Sequence, residues 1–227
     1  MNSPQKTARI AACIFLGIFF LGMSTELFIR PGMIVPGDAA ATVKNMAASE
    51  ALFRLSLVSD LIRQMFMMLL PLVLYKLLKP VNKNIALLMV IFALVSVPIS
   101  MLNELNHFAV LLLSSGAGYL TAFKADQLNA LVMFFLELRK YGTFVPQVLS
   151  FWVLLLGYLV FKSGFLPRIL GILLMLGGLC YTVQAVLFFL FPNFDAPIFG
   201  LFAFIGELLF YLWLLIMGCR FNSQVQL

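Results

Sequence analysis

Polar and ionisable side chains recur on one face of the apolar segment 52–78. At 100° per residue, five of them fall within a helical wedge about 140° wide. They are Ser56, Ser59, Asp60, Arg63 and Gln64. Asp60 and Arg63 are spaced i, i+3, so their charges can pair along the helix. Such a face is typical of a helix that turns a polar stripe towards other helices or towards a cavity, where it can bind a polar ligand.

Another ionisable residue, Glu207, lies near the middle of the last apolar segment, beside Gly206. A charge at the centre of a bilayer costs at least about 2.5–3.5 kcal/mol, so this carboxyl either takes up a proton or pairs with a cation. Arg63 is the nearest cation in predicted depth, and we expect an Asp60–Arg63–Glu207 cluster that links the second and sixth spans. The full set of candidate ligand-binding residues is Asp60, Arg63, Glu207, Glu26, Gln184 and Glu104.

Buried charges that link helices also have a purely structural interpretation, because a satisfied polar cluster fixes which helices meet without binding anything. His107 either lines the mouth of the site with Glu104 or is an interfacial histidine. Ser114 or Ser115 lies on the same helix face as His107, but the Gly-x-Ser-Gly motif of intramembrane serine proteases is missing. One histidine and three scattered cysteines offer no metal-ligand spacing, and no phosphate-binding glycine loop follows a strand, so neither a metal nor a cofactor is expected.

The composition indicates which solvent surrounds these residues. Of 227 residues, 63% are hydrophobic and 11% are charged, and the mean hydropathy is +1.07. In soluble globular domains about a quarter of the residues are charged. The composition therefore excludes a soluble domain and disorder. The net charge of +6 reflects scarce acids and forms no basic patch, which excludes nucleic-acid binding and leaves membrane lipids as the expected partners.

Six apolar segments are long enough to cross a bilayer, which takes about 20 residues each. The predicted spans are 8–29, 52–78, 85–102, 143–161, 166–191 and 197–219. We therefore predict an all-α fold, a polytopic transmembrane helical bundle in which residues 1–227 form a single transmembrane domain. The short connections after the second and fourth spans make their flanking helices antiparallel neighbours.

The stretch 103–142 is ambiguous, and the distribution of basic residues favours one interpretation of it. With six spans and the N-terminus inside, the inner face carries eight cations and no acid. They are Lys6, Arg9, Lys76, Lys79, Lys83, Lys162, Arg168 and Arg220. One extra span before Thr143 would move Lys162 and Arg168 outside. We therefore expect both termini inside and 103–142 as outer helical extensions or a cap, with two additional short spans as the alternative.

Several motifs along the chain resemble one family. They are GYLVFKSGFLPRILG at 157–171, GEL at 206–208, WLL at 213–215, PGDAAAT at 36–42, FRL at 53–55 and Asp60-Leu61. Together they resemble the DUF4386 family of uncharacterised bacterial integral membrane proteins over nearly the whole chain. The resemblance implies a multi-pass helical protein of the bacterial cytoplasmic (inner) membrane and implies no activity.

The chain departs from the family pattern at 137–142. Where members are expected to carry Asp/Glu-Leu-His before a Tyr-Gly pair, this chain reads ELRKYG. A role that the family assigns to that histidine cannot be carried over to this chain.

Three kinds of function fit these residues. We prefer a binding or transport-like protein, in which the wedge and Glu207 line an outward polar cavity for a small polar or lipidic ligand. The first alternative is an intramembrane enzyme acting on a lipid or peptide, with Glu207 or Glu104 as general base and Arg63 stabilising an oxyanion or phosphate. The second is a structural or regulatory membrane subunit whose helices pair with a partner.

Overall fold

The computed structural model describes residues 4–191 and 197–218, and in these ranges the chain consists of helices joined by turns, without a strand. The helices are α1 (Pro4–Met23), α2 (Ala39–Ala48), α3 (Glu50–Leu78), α4 (Lys83–Asn103), α5 (Leu105–Leu113), α6 (Ala125–Gly142), α7 (Phe144–Gln147), α8 (Phe151–Lys162), α9 (Arg168–Leu190) and α10 (Pro197–Ile216). The predicted all-α class is confirmed.

Six helical stretches of the described chain are long and apolar enough to cross a membrane. They are Pro4–Gly32, Glu50–Leu78, Lys83–Leu113, Ala125–Lys162, Arg168–Leu190 and Pro197–Ile216. The predicted number of six spans is thus confirmed, while their bounds and the side on which the termini lie stay predictions. The third and fourth stretches include α5 and α6, which are the helical parts of 103–142. Residue 219, the predicted end of the last span, and Arg220 lie outside the described residues.

Large apolar side chains cover the exposed faces of these helices. Phe20 and Leu102 are each 65% exposed, and Ile216 is 70% exposed. Water-soluble monomers rarely expose contiguous apolar surface on this scale, whereas lipid tails solvate it well. The surface is therefore that of a membrane-spanning helical protein.

The chain forms two compact units. The first consists of Met1–Gly17, Phe66–Pro98 and Phe144–Leu227, and the second of Ile18–Met65 and Ile99–Thr143. By sequence, the first unit has eight basic and two acidic residues, whereas the second has seven of each. The net charge of +6 therefore resides in the first unit, and the charges of the second are balanced. The single transmembrane domain stays a prediction.

In the first unit, glycines let α8 and α9 approach to backbone contact. A Cβ atom on Gly157 would lie 2.5 Å from the Met175 nitrogen and 2.6 Å from the Gly171 carbonyl oxygen. A Cβ atom on Gly178 would lie 2.5 Å from the Leu154 nitrogen. Small residues are the usual means of tight helix association in lipid, where no hydrophobic force drives helices together.

The second unit has an apolar core that joins α2, α3, α5 and α6. Its buried members are Met33, Met46, Phe53, Leu57, Val110, Val132 and Leu136. α2 begins at a capped turn, in which the Asp38 carboxylate accepts a hydrogen bond of 2.9 Å from the Ala41 nitrogen. This core fixes the rotation of α3, α5 and α6, and so determines which of their side chains meet.

The first span ends in a change of helix type. α1 continues as a π-helical segment, Ser24–Ile29, and then as a 3₁₀ turn, Arg30–Gly32. The hydroxyls of Ser24 and Thr25 donate to backbone carbonyl oxygens three residues earlier, at 2.8 and 2.9 Å. Sequence reasoning ended the span at residue 29 because of the Pro31-Gly32 turn signal. In the structure Arg30 is still helical and is only 8% exposed.

Candidate functional site

The polar face of α3 is buried in the second unit. Ser56, Asp60 and Gln64, which follow one another at intervals of four residues, are 0%, 1% and 4% exposed. Their spacing places them on one helix face. The Ser56 hydroxyl donates to the Phe53 carbonyl oxygen at 2.7 Å, so it is satisfied within α3. The Asp60 carboxylate needs cations as partners, because a buried unpaired charge is costly.

Three arginines supply those cations. Arg30 Nη2 donates to Asp60 Oδ2, and Arg139 Nη2 lies 3.3 Å from the same oxygen. Arg63 Nε donates to Asp60 Oδ1 at 3.4 Å. The guanidinium groups come from the end of the first span, from α3 itself and from α6. Asp60 therefore connects three separate elements of the second unit.

Glu104 forms the second anionic centre. Arg139 contacts both of its oxygens, with Nε 3.5 Å from Oε2 and Nη2 3.4 Å from Oε1. His107 Nδ1 lies 3.0 Å from Glu104 Oε2, and this histidine is only 1% exposed. The edge of its ring meets Phe53, with 5.3 Å between the ring centroids. His107 is therefore part of a buried hydrogen-bonded pair.

Glu26 is the exposed member of the group. Its Oε1 pairs with Arg30 Nη1 and lies 3.8 Å from Arg139 Nη1. The Glu26 side chain is 58% exposed, whereas those of Arg30 and Arg139 are 9% and 11% exposed. One solvent-accessible carboxylate thus covers two buried guanidinium groups. We call these seven residues the arginine–carboxylate network: Glu26, Arg30, Asp60, Arg63, Glu104, His107 and Arg139.

The backbone of α6 is held where Arg139 can reach both anions. Asn103 Nδ2 donates to the Arg139 carbonyl oxygen at 2.9 Å. A Cβ atom on Gly142 would overlap the Asn103 amide, so the glycine makes room for this contact. The hydrogen bond sets the register of α6 against the end of α4, and thereby positions the guanidinium group.

Hydrogen-bond donors outnumber acceptors in the network. Each guanidinium has five N–H donors, whereas a carboxylate has two acceptor oxygens. Arg30 Nε is buried and has no hydrogen-bond partner among the described residues. A buried donor without a partner costs about 1–3 kcal/mol. The network therefore offers unused donor capacity to an anionic group.

The structure brings four of the six candidate site residues into this network. Asp60, Arg63, Glu26 and Glu104 belong to it, linked by Arg30 and Arg139, which sequence reasoning did not select. The i, i+3 pair of Asp60 and Arg63 forms. One available signal for Arg30 was its i, i+4 spacing from Glu26.

The other two candidates, Glu207 and Gln184, belong to the first unit. Gln184 Oε1 accepts a hydrogen bond of 3.2 Å from Gln147 Nε2. Glu207 is partly buried on α10 and has no ion-pair partner among the described residues. The Asp60–Arg63–Glu207 cluster and its ligand-binding role stay predictions.

A small pocket lies in the second unit. It has a volume of about 50 Å³ and is lined by Met46, Ala47, Glu50, Phe53, Val110, Leu111 and Ser114. Ligand pockets usually measure about 300–1,000 Å³, so this one suits only a water-sized guest. The lining of the pocket is mostly apolar, and its two polar residues are Glu50 and Ser114.

Three side chains of the network lie close enough together to act as ligands of one metal ion. Ligand atoms of Asp60, Glu104 and His107 all lie within 4.8 Å of one another, and all three residues are buried. The i, i+3 spacing relates Glu104 to His107, whereas Asp60 comes from α3 and no spacing links it to the other two. Arginines already contact both carboxylates, so a cation would have to compete with them.

Comparisons with known proteins agree with the resemblance drawn from the motifs. The profile of the family described as "Domain of unknown function (DUF4386)" matches residues 10–218. A protein of Archaeoglobus fulgidus, described as "Uncharacterized protein", is 32% identical over 153 residues, which cover 67% of this chain and 76% of that protein. No solved structure matches the chain. The chain belongs to the DUF4386 family.

Proposed function

We propose that this chain is a multi-pass protein of the bacterial cytoplasmic membrane that binds a small anionic group at the arginine–carboxylate network. The ligand group is a carboxylate or phosphate, either free in solution or on a lipid headgroup. One observation carries the proposal: two arginine side chains only 9% and 11% exposed both contact one carboxylate oxygen of a side chain that is 58% exposed. Glu26 then occupies the position of the ligand anion and leaves when the ligand binds.

The level of the network along its helices supports a site at the membrane surface. Glu104 follows Lys83 by 21 residues, and Arg139 precedes Lys162 by 23 residues. Each separation exceeds the roughly 20 residues that a helix needs to cross the bilayer hydrocarbon. On this count the chain crosses the hydrocarbon once between each lysine and its counterpart in the network.

The positive-inside rule then gives the direction. The chain between the second and third spans, and between the fourth and fifth, contains or adjoins Lys76, Lys79, Lys83, Lys162 and Arg168. Cytoplasmic loops carry such an excess of basic residues, so we assign these two loops and, by the number of spans, both termini to the inside. The network accordingly opens to the outside, where a ligand reaches it past Glu26 and past Arg63, whose side chain is 28% exposed.

The chemistry of the ligand follows from the donors. Planar guanidinium groups bind carboxylate and phosphate oxygens through paired, charge-assisted hydrogen bonds. Arg30 and Arg139 both contact Glu26 Oε1, so a single incoming oxyanion can replace this atom and also use the free Nε of Arg30. Glu104 and Asp60 hold the arginines from the buried side and stay in place.

Thermal unfolding of the full chain in phosphatidylcholine nanodiscs tests this function. A ligand that binds only the folded state raises the unfolding midpoint by mass action. We expect inorganic phosphate to stabilise wild type, to stabilise Glu26→Gln more strongly, and to leave Arg30→Gln unchanged. Glu50→Gln, which breaks the exposed pair with Arg54, is the matched control and should respond as wild type does.

The lipid composition separates the two sources of the anion. If a headgroup is the ligand, discs containing phosphatidylglycerol stabilise wild type and abolish its response to inorganic phosphate. If a free anion is the ligand, the response to phosphate persists in both kinds of disc. Should Arg30→Gln fail to fold, Arg63→Gln serves in its place and should respond less than wild type. Equal responses of all variants to both sources would contradict the proposed function.

A second candidate, a metal-dependent intramembrane enzyme, is favoured by the grouping of Asp60, Glu104 and His107. Catalytic zinc commonly has three protein ligands and an activated water. In that case the purified protein would carry about one zinc per chain by elemental analysis, and His107→Ala would lose it. We rank this function second because the arginines occupy the same carboxylate oxygens.

A further inference from the structure

A partly buried carboxyl in the first unit has no cation partner among the described residues. Glu207 is the eleventh residue of the 20-residue helix α10, and so lies about 15 Å from either end of this span. It forms no ion pair with any Lys or Arg in the described part of the chain. In the middle of a span, this carboxyl is far from the water at either membrane surface. An ionised carboxylate in that position is strongly disfavoured.

Two phenols belong to the surroundings of Glu207. Tyr181 on α9 and Tyr211 on α10 lie near enough to be influenced by its charge. Tyr211 follows Glu207 by four residues and therefore lies on the same face of α10. α1 contributes Phe15, whose ring stacks on that of Tyr211 with 3.9 Å between centroids. None of these neighbours supplies a positive charge.

Tyr211 is itself incompletely satisfied. Its side chain is fully buried, and its hydroxyl has no hydrogen-bond partner among the described residues. Buried tyrosine hydroxyls normally have a partner, because an unpaired polar group costs free energy. Within the described part of the chain, one face of α10 thus carries a hydroxyl without a hydrogen-bond partner and a carboxyl without an ion-pair partner.

Close packing of α9 against α10 limits what can fill this gap. A Cβ atom on Gly206 would lie 3.2 Å from the Leu173 carbonyl oxygen, and one on Gly177 would lie 3.1 Å from the Ala203 Cα. The two backbones are therefore near contact along the turn of α10 that precedes Glu207. A guest has to be small, and the smallest cation is the proton.

We propose that Glu207 is a proton-binding site within the membrane, with Tyr211 as its hydrogen-bond partner. A proton taken from water binds to the Glu207 carboxylate to give a carboxylic acid, and no other bond is made or broken. Protonation removes the charge of the carboxylate. The acid O–H then donates to the Tyr211 hydroxyl oxygen and supplies the hydrogen-bond partner that this hydroxyl lacks among the described residues. This site is independent of the proposed anion site, because it uses none of the same residues.

Infrared spectroscopy of the full chain in phosphatidylcholine nanodiscs tests this site. A protonated carboxylic acid has a carbonyl stretching band that an ionised carboxylate lacks. We expect wild type to show this band at neutral pH, to lose it reversibly as the pH is raised, and to shift it in D₂O. Glu207→Gln should lack the band, and Glu50→Gln, which changes an exposed carboxylate, should keep it.

Tyr211→Phe keeps the carboxyl and removes only the hydroxyl, so it tests the partner and also serves if Glu207→Gln does not fold. We expect its carbonyl band to persist at a shifted frequency. Absence of the band from wild type at neutral pH would overturn the inference, because Glu207 would then be ionised and paired with another cation. An unchanged frequency in Tyr211→Phe would remove Tyr211 from the site.

Discussion

Arg139 Nη2 lies 3.3 Å from Asp60 Oδ2, although 79 positions separate the two residues along the chain. The same guanidinium reaches both oxygens of Glu104, so one side chain joins α6 to α3 and to the end of α4. The pairs are buried, and each carboxylate depends on arginines for its stability. The network therefore fixes how the second unit is assembled, and it also holds the guanidinium groups that we propose as the anion site.

Replacing Asp60 by Asn should destabilise the protein by about 3–5 kcal/mol, as the loss of one partner of a buried ion pair does. Asn keeps the volume of the side chain but leaves three arginines facing two carboxylates. Thermal unfolding in one fixed detergent measures the effect. Glu50→Gln, whose pair with Arg54 is exposed, should change stability by only about 0–1 kcal/mol. Equal unfolding midpoints for the two variants would show that the buried ion pairs of Asp60 contribute no more stability than the exposed pair of Glu50 and Arg54.

Arg139→Lys should also be strongly destabilising, although it keeps the charge. A lysine presents one compact ammonium group and cannot contact Asp60 and Glu104 at once as a planar guanidinium does. Lys140→Arg, on the exposed neighbouring position, is the matched control and should unfold as wild type does. An unfolding midpoint of Arg139→Lys close to that of wild type would mean that a positive charge alone holds α6 against α3 and the end of α4. The planar shape of the guanidinium group would then not be needed.

Part of this arrangement was readable from the sequence. Asp60 and Arg63 lie on one helix face because their spacing alone puts them there. Arg30 was missed because the Pro31-Gly32 turn signal suggested that the helix had already ended. A π-helical segment carries the chain on to Arg30, and no turn or cap signal in the sequence predicts it.

Arg139 was harder to find, since its partners lie 35 and 79 positions away and no local rule gives the rotation of α6 against α3. Its only trace in the sequence was the departure ELRKYG from the family pattern. The lone histidine offered no partner in sequence except Glu104 one turn earlier, and its burial against Phe53 follows from the core of the second unit.

Gly157→Ala should destabilise the first unit by at least about 1–3 kcal/mol, because the new methyl group would meet backbone atoms of α9. Backbone cannot rotate away as a side chain can. Gly32→Ala is the matched control, since a Cβ atom there meets nothing within 4 Å. Detergent-solubilised material examined by size-exclusion chromatography and thermal unfolding distinguishes the two. If Gly157→Ala behaves like Gly32→Ala, the helices are not in backbone contact.

The proposed orientation predicts which loops face the cytoplasm. In a background with the three native cysteines replaced by serine, Asn84→Cys should react with a membrane-impermeant maleimide only after the cells are permeabilised. Thr121→Cys, between α5 and α6, should react in intact cells. Both positions are exposed. The reverse labelling pattern would invert the topology and place the arginine–carboxylate network on the inside.

The most direct test of anion binding is an experimental density map of the wild-type protein prepared in inorganic phosphate, compared with one prepared without it. With phosphate, we predict a tetrahedral peak between the guanidinium groups of Arg30 and Arg139, and the Glu26 side chain turned away from them. Without phosphate, Glu26 should occupy the position that it has here. A map in which Glu26 still pairs with Arg30 at saturating phosphate, with no peak between the arginines, would contradict the account.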